Sequence, residues 1–121
     1  MKNNVKEANV VMARCASTSK SFGIRMERRT DDVWYCTWAF PLSEKSASNE
    51  GYTNTVISGR MEFDDEYPGC PHCNSTGWVK CWSCGKLTCW SSKDKSFSCK
   101  WCGVSGEVES ADEFELNAGG Y

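Results

Sequence analysis

Residues 70–102 read CPHCNSTGWVKCWSCGKLTCWSSKDKSFSCKWC and contain seven of the nine cysteines in this chain of 121 residues. Three segments within them, 70–74, 81–85 and 99–103, have the pattern C-x-x-C followed by asparagine or glycine. Two thiolates at this spacing reach one ion only if the chain turns sharply, and the residue after the second cysteine then commonly takes a positive φ. Glycine suits that position and asparagine tolerates it. The three segments are therefore predicted to be metal-binding turns.

The cysteines are predicted to bind metal rather than to form disulfides. Residues 1–7 lack the apolar segment of a secretion signal and no later run approaches membrane length, so a reducing cytoplasm is the expected location. An odd number of cysteines, arranged in close pairs, also fits metal ligands better than a closed set of disulfides. A chain this short buries little apolar surface, and bound metal would stabilise it.

The cysteines divide unevenly between two sites. The 14 residues between Cys84 and Cys99 fit a β-hairpin with strands at 86–90 and 96–98, which would join two of the turns into a zinc ribbon. The turn at 70–74 then needs another partner, and Cys89 is the nearest. Seven cysteines fill one four-ligand site and three positions of another. Cys15 is a candidate for the remaining position, and the seven predicted metal ligands are Cys70, Cys73, Cys81, Cys84, Cys89, Cys99 and Cys102.

The eighth position stays open at this stage between Cys15, His72 and a water molecule. Cys36 ranks behind them, because a cysteine within a strand is more often a small apolar core residue. Thiolates at tetrahedral spacing favour Zn²⁺, with iron as the alternative. Two zinc ions are expected, or one if only the ribbon is loaded.

Charge is unevenly distributed along the chain. Residues 1–60 carry +3, residues 61–69 carry −4, residues 70–106 carry +4 and residues 107–121 carry −5, which sum to the net charge of −2. The basic segment resembles a nucleic-acid footprint. Seven thiolates with two Zn²⁺ ions contribute −7 + 4 = −3, however, so most of this positive charge balances sulfur.

The remaining sequence predicts a mainly β fold, in which an N-terminal β-meander with a short helix packs on a C-terminal zinc-ribbon and zinc-knuckle region. One domain, 1–121, is expected, with a strand-rich half at 1–66, a cysteine-rich half at 67–106 and an acidic tail at 107–121. The acidic residues from Glu107 to Glu115 could contact a basic partner, but a solvated tail is preferred. Alternation and β-branched or aromatic residues predict the strands, and Ser43 is a plausible helix N-cap. The predicted elements are strands at 10–15, 22–28, 33–40 and 53–63, a turn at 17–21 and a helix at 43–50.

Three classes of function were compared on the residues. Catalysis is not expected, because the single histidine lies inside a turn and no nucleophile with a base is recognisable. Tryptophans flank the turns at positions 78, 82, 90 and 101, where they are expected to cover the metal sites, and base stacking is the alternative. A protein-interaction module is therefore preferred over a nucleic-acid-binding zinc ribbon.

Several motifs together resemble the TerY-C metal-binding domain from about residue 10 to residue 120. They are Val11-Met12-Ala13-Arg14-Cys15, Trp38-Ala39-Phe40-Pro41, Glu50-Gly51-Tyr52, Tyr67-Pro68-Gly69-Cys70-Pro71-His72-Cys73, Cys84-Gly85-Lys86-Leu87-Thr88-Cys89-Trp90 and Cys99-Lys100-Trp101-Cys102-Gly103. The resemblance implies a non-catalytic metal-chelating module of bacterial tellurite-resistance and stress-response systems. It also implies partners that include a von Willebrand A domain, a protein kinase and a PP2C-type phosphatase, and no membrane association. Cys15 stands at a motif position that fits an eighth ligand, whereas Asn74 departs from the expected glycine and no A-domain motif is present.

Overall fold

The described part of the chain forms ten strands and one short helix, which confirms the mainly β prediction. The computed structural model describes residues 5–49, 55–91, 93–109 and 113–120. The strands are β1 (Val5–Arg14), β2 (Ser21–Arg29), β3 (Trp34–Pro41), β4 (Thr55–Gly59), β5 (Met61–Phe63), β6 (Gly77–Lys80), β7 (Leu87–Trp90), β8 (Ser96–Ser98), β9 (Ser105–Glu107) and β10 (Phe114–Gly120). The helix is α1 (Glu44–Asn49).

Strands β1, β2 and β3 form the predicted antiparallel meander. The main sheet runs in the order β4-β10-β1-β2-β3-β5. A single residue, Arg60, separates β4 from β5, so the two ends of this path meet and the sheet curls round on itself. Trp34 joins the ends, because its backbone N–H donates to the Arg60 carbonyl at 2.9 Å and its indole N–H donates to the Ser58 carbonyl at 3.2 Å.

The apolar core fills the inside of the curl. Alternation along the strands turns large side chains inward, where they bury the apolar surface that drives folding. Its largest fully buried apolar side chains are Val10, Phe22, Ile24, Met26, Leu87 and Leu116.

Two strands, β10 and β7, pair with successive parts of β1, and the pairing of β7 positions the cysteine-rich half beside β1. β10 pairs with β1 in antiparallel fashion at Asn9 and Val10, whereas β7 pairs in parallel further along, with Ala13 opposite Leu87 and Arg14 opposite Thr88. β7 also pairs with β6 on its other edge. The C-terminal half is thereby attached to the end of β1, directly before Cys15.

Helix α1 agrees with the sequence prediction where it is described. The Ser43 hydroxyl accepts a hydrogen bond from the Ser46 N–H at 3.0 Å, as an N-cap serine does. Glu50, Gly51 and Tyr52 lie outside the described residues, as do residues 53 and 54 of the predicted fourth strand. The described part of the chain contains no helix long and apolar enough to cross a membrane.

Two predictions about the C-terminal half are wrong. Strand 96–98 was expected to pair with 86–90, but β8 pairs with β9 and β7 pairs with β6 and β1. The reason is that the turn at 99–104 closes its own local hairpin, which leaves β7 free for partners on both edges. Residues 107–121 were expected to form a solvated tail, but β10 lies inside the main sheet between β4 and β1. Its Leu116 side chain is buried, so burial of apolar surface holds this segment.

A charged network on β2 supports the meander. Glu27 is 7% exposed and accepts hydrogen bonds from the guanidinium groups of Arg25 and Arg29. Arg29 also pairs with Asp64, at 3.0 Å. Burial raises the pKa of Glu27, but the hydrogen bonds and charges of the two arginines outweigh that effect, and the pKa lies below its ordinary value.

Replacing Glu27 by glutamine (Glu27→Gln) should lower the free energy of unfolding near neutral pH by about 1.5–3 kcal/mol, because two guanidinium groups lose a charged acceptor. A carboxyl with a lowered folded-state pKa stabilises the fold above its unfolded pKa, and that stabilisation disappears as the pH falls through the folded value. The difference from the wild type should therefore shrink in acid. Denaturant titration of the two zinc-saturated chains at several pH values measures it.

Glu62→Gln is the matched control, since Glu62 pairs with Arg60 at the surface, where both side chains are more than half exposed. It should change stability by about 0–1 kcal/mol. Equal losses for the two variants would contradict the assigned role of the β2 network.

Candidate metal centres

Four turns of the chain share one backbone geometry. Each begins at a cysteine whose carbonyl accepts from the N–H four residues on, at 2.8–3.1 Å, and whose N–H donates to the carbonyl five residues on, at 2.8–2.9 Å. Three were predicted from C-x-x-C. The fourth, at residues 15–20, was predicted only as an ordinary turn. These four cysteine turns are 15–20, 70–75, 81–86 and 99–104.

A positive φ occurs at the same position in all four cysteine turns. Asn74, Gly85 and Gly103 have φ of 68°, 75° and 86°, which confirms the prediction for the residue after each C-x-x-C. Ser19 occupies the equivalent position of the first turn with φ of 60°. A serine, which has a Cβ atom, adopts a positive φ far less readily than glycine does. The sequence therefore did not indicate a fourth turn of this kind.

Three of the cysteine turns are also the tips of β-hairpins. Arg14 pairs with Ser21 across the first, Lys80 with Leu87 across the third and Ser98 with Ser105 across the fourth. In each hairpin, the residue directly before the cysteine pairs with the residue six positions after the cysteine. The local fold of each strand pair consequently presents its cysteine sulfur at the end of the hairpin.

The first group of sulfurs comprises Cys15, Cys70, Cys73 and Cys89, whose Sγ atoms all lie within 4.8 Å of one another. The parallel register that places Arg14 opposite Thr88 brings Cys15 and Cys89, the next residues on each strand, side by side. Cys73 and Cys89 have their sulfurs 3.5 Å apart. Three separate parts of the chain therefore converge at this group.

Thr18 explains why the first group needs Cys89. Thr18 stands where the other cysteine turns have their second cysteine, and its hydroxyl donates a hydrogen bond to the Cys15 sulfur instead. The fourth sulfur comes from β7, and the N–H of Ala16 donates to it at 3.1 Å. The turn at 15–20 is thus a metal-binding turn with one of its two sulfurs supplied from elsewhere.

The second group comprises Cys81, Cys84, Cys99 and Cys102, again with all Sγ atoms within 4.8 Å. Two cysteine turns face each other here, and the Cys81–Cys102 and Cys84–Cys99 sulfur pairs are both separated by 3.6 Å. Cys81 and Cys99 are buried, whereas Cys102 is exposed.

His72, the other side chain considered for the eighth position, and Cys36, which ranked behind it, both lie outside the two groups. The Nε2 atom of His72 lies 3.1 Å from the Ser21 carbonyl oxygen and donates to it when Nε2 carries the proton. The His72 ring also makes a T-shaped contact with the Phe22 ring. Cys36 is fully buried and accepts from the Trp78 indole N–H at 3.4 Å. Burial raises the pKa of its thiol to about 12. Among the described residues, Cys15 is the one that joins the seven cysteines of the 70–102 stretch.

Backbone N–H groups point at the first sulfur of each cysteine turn. The donors are the residues two positions on, at 3.3–3.4 Å: Ser17, His72, Ser83 and Trp101. Such donors favour the charged thiolate over the neutral thiol. Each turn is therefore arranged for a negatively charged sulfur.

Without a cation, the thiols within each group differ in pKa. Burial raises the pKa of Cys15, but hydrogen bonds from the Thr18 side chain and from backbone N–H groups outweigh burial and lower it to about 6. Burial and the neighbouring Cys15 raise the pKa of Cys70 to about 11. In the second group, backbone N–H groups outweigh burial and lower the pKa of Cys99 to about 6, whereas burial and the neighbouring Cys99 raise that of Cys84 to about 12. One thiolate in each group thus keeps a neighbour protonated, a repulsion that a divalent cation removes.

The sulfur sets fit tetrahedral zinc. Four sulfurs about 2.3 Å from a central zinc lie about 3.8 Å from one another. The observed pairs at 3.5 and 3.6 Å are close to that spacing, and the sulfurs already surround a common centre. Each group can therefore hold one metal ion.

The two groups are joined through the turn at 99–104, which docks on β1 and β7. The Lys100 N–H donates to the Thr88 hydroxyl at 3.2 Å, and Arg14 donates to the Lys100 carbonyl at 2.8 Å. The Trp101 indole donates to the Leu87 carbonyl at 2.7 Å, and the Arg14 guanidinium stacks on its ring. Arg14 and Thr88 directly precede Cys15 and Cys89 of the first group, so these contacts tie the turn at 99–104 to residues beside that group.

The tryptophans beside the turns serve two different roles. Trp78, Trp90 and Trp101 are half-buried, and their indole N–H groups donate to Cys36, to the Ser96 carbonyl and to the Leu87 carbonyl. These three support the fold around the sulfurs, as the sequence indicated. Trp82 differs, because 63% of its surface is exposed.

Native mass spectrometry of the zinc-reconstituted chain should find two zinc ions, one for each group of four sulfurs. Cys15→Ser should lower the count to one, because a hydroxyl is a poor replacement for a thiolate and three sulfurs hold zinc weakly. Cys84→Ser should also leave one.

Cys36→Ser is the matched control, since it makes the same chemical change at a buried cysteine outside both groups and should keep two ions. His72→Gln should keep two as well. Loss of an ion from His72→Gln together with its retention in Cys15→Ser would instead identify His72 as the ligand.

Comparison with known families agrees with this geometry. A family model described as the TerY-C metal binding domain matches residues 6–120. Comparisons with curated proteins and with solved structures found no match. Because the family match covers nearly the whole length of the sequence, the chain belongs to the TerY-C metal binding domain family.

Proposed function

We propose that this chain is a zinc-binding, non-catalytic module that holds a protein-interaction surface in place within a stress-response signalling assembly. The observation that carries the proposal is the pair of four-sulfur groups at the junctions of the hairpins. Zinc sites with four protein ligands are structural, since no position remains for water or substrate. The metal is therefore assigned to the fold, and the biological activity to the surface that the fold presents.

The choice of zinc rests on ligand chemistry. Eight thiols in two compact sets match the preference of Zn²⁺ for soft ligands in a tetrahedron, and a four-sulfur set also accepts iron. Reduced thiols of this kind persist in a reducing compartment, so we place the chain in the cytoplasm.

A non-catalytic role agrees with the position of the chain's single histidine. His72 is engaged with the Ser21 carbonyl rather than with a nucleophile. General acid–base or nucleophilic catalysis needs a base within hydrogen-bonding distance of the reacting group. Among the described residues, the thiols of the two groups are committed to each other and to the metal.

The partners that we propose follow from family membership. The resemblance to TerY-C domains implies a von Willebrand A domain, a protein kinase and a PP2C-type phosphatase, and these are the partners that we propose. Exposed large apolar side chains are the surface feature that supports association with protein: Trp82, Phe63, Trp38 and Val56. Aromatic residues at a surface are enriched in protein interfaces.

Nucleic acid binding is disfavoured by the same surface. Three of the four tryptophans beside the turns donate hydrogen bonds within the fold, so stacking on bases would fall to Trp82. Four exposed glutamates line the same groove as Trp82 and would repel phosphate. The positive charge of residues 70–106 is offset by the thiolates that lie within it.

Removal of zinc should unfold at least residues 70–103. Binding of zinc to such sites and folding are the same free-energy change, about 10–16 kcal/mol for each structural ion. Near-UV circular dichroism of the tryptophans should collapse in excess chelator and return when zinc is added. Chelator already saturated with zinc is the control. A near-UV signal that survives in metal-free chain would contradict a structural role for the metal.

Affinity purification from the native host should recover a kinase, a phosphatase or an A-domain protein with the tagged chain, because an aromatic interface keeps its contacts at moderate salt. Gel-shift titrations with single- and double-stranded nucleic acid should show no shift at low salt, where phosphate contacts are strongest. If a gel shift appears at low salt and disappears as salt rises, and if no protein partner is recovered, the chain is a nucleic-acid-binding ribbon and not an interaction module.

A further inference from the structure

A groove of about 900 Å³ runs along the second group of sulfurs. Residues from β5, β6 and β10 form one wall, and residues from the turn at 81–86 and from β8 form the other. Cys81 and Cys84 contribute to its lining, so the metal site lies directly behind one wall. A cavity this large on a chain of this size is in the range of binding clefts.

The floor of the groove is aromatic. Trp78 lies at its centre, with Phe114 at 5.1 Å and Phe63 at 6.1 Å between ring centroids. Phe63 is 45% exposed although it packs on Trp78 and Tyr67. This floor offers apolar area that the chain does not itself cover.

Trp82 lies across the groove and packs on two neighbours. Its ring makes a T-shaped contact with Phe97, with centroids 5.5 Å apart, and lies against Gly106. A Cβ atom at residue 106 would lie 2.4 Å from the end of the Trp82 ring, so this position of the ring requires glycine there. An exposed tryptophan that already packs on its own chain is the kind of residue that contributes strongly to binding at interfaces.

The groove carries strong negative charge. Glu107, Glu109, Glu113 and Glu115 all line it and are all exposed, whereas Lys80 is the one cationic side chain in its lining. A zinc ion with four thiolates adds a further −2 at the wall. An occupant with positive charge is therefore favoured, and nucleic acid is opposed.

The β6 strand gives the groove an open backbone edge. β6 pairs with β7 along one side, and its other side has no strand partner in the described part of the chain. Trp78, Val79 and Lys80 of β6 line the groove. An extended peptide bound beside such an edge places alternate side chains on opposite faces.

We propose that this groove binds an extended basic segment of a partner protein, with apolar side chains on the Trp78 and Trp82 surfaces and lysine or arginine side chains on the four glutamates. The inference rests on the proposed function as an interaction module and specifies the chemistry of its partner. Charge complementarity selects the segment, and the aromatic walls supply the buried contact.

Fluorescence anisotropy with labelled peptides of about ten residues tests the proposal. The probe alternates lysine with leucine, a second peptide replaces lysine by glutamate, and a third replaces leucine by serine. The zinc-loaded chain should bind the lysine–leucine peptide at least about tenfold more tightly than either of the others, since one lacks charge complementarity and the other lacks apolar anchors. Equal binding of the first two peptides would overturn the proposal.

Variants of the chain locate the site. The double variant Glu107→Gln/Glu113→Gln should bind the lysine–leucine peptide about fivefold to tenfold more weakly. Glu62→Gln/Asp65→Asn, which changes the net charge equally at exposed residues outside the groove, should not. Trp82→Ala should weaken binding by about tenfold or more. Gly106→Ala should act in the same direction by displacing the ring without removing it.

Two outcomes separate the groove from the broader function. None of these substitutions removes a sulfur ligand, so each variant should retain two zinc ions by native mass spectrometry. If Trp82→Ala or Gly106→Ala loses zinc, the other of the two is used to test the contribution of the Trp82 ring. If the native partner is captured equally by wild-type and groove variants, the interaction module stands and the groove proposal falls. Sedimentation that shows a dimer abolished by Trp82→Ala would also overturn it and make the groove a contact between two copies of this chain.

Discussion

The structure depends on bringing four sulfurs within 4.8 Å of one another at two places. At the first group this requires the tip of the β1–β2 hairpin, the turn at 70–75 and strand β7 to meet. The parallel pairing of β7 with the end of β1 accomplishes it, because the register that aligns Arg14 with Thr88 aligns the following cysteines too. The curled sheet supplies the frame, and three of the four cysteine turns lie at the tips of β-hairpins.

Charge is the second constraint, and it links the metal sites to the surface. With one Zn²⁺ bound to each group of sulfurs, as proposed, eight thiolates and two ions would carry −8 + 4 = −4, equal and opposite to the +4 of residues 70–106. Arg14 and Lys86 both lie over the Trp101 ring, at 4.2 and 4.7 Å from its centroid. At the groove, four glutamates of the 107–115 stretch are balanced, among the described residues, by Lys80 alone.

The metal sites and the groove are parts of one arrangement. The turn at 81–86 supplies two sulfurs to the second group and also carries Trp82, which Gly106 of β9 holds against the hairpin formed by β8 and β9. The same turn therefore shapes the groove wall and binds the ion. A binding surface that depends on a metal-stabilised turn is pre-organised, so little entropy is lost in ordering it when a partner binds. Such pre-organisation suits a small chain with a limited apolar core.

The sequence by itself determined the features that depend on neighbouring residues. C-x-x-C followed by glycine or asparagine specifies a turn closed by hydrogen bonds over five residues, and alternation specifies strands such as β2 and β3. Only the tertiary structure decided which turns share an ion, that Cys15 rather than His72 completes the first group of sulfurs, and that β8 pairs with β9. It also decided that β10 enters the sheet, where Leu116 is buried. These outcomes depend on strand partners distant in sequence, and no local pattern records the register in which distant strands align.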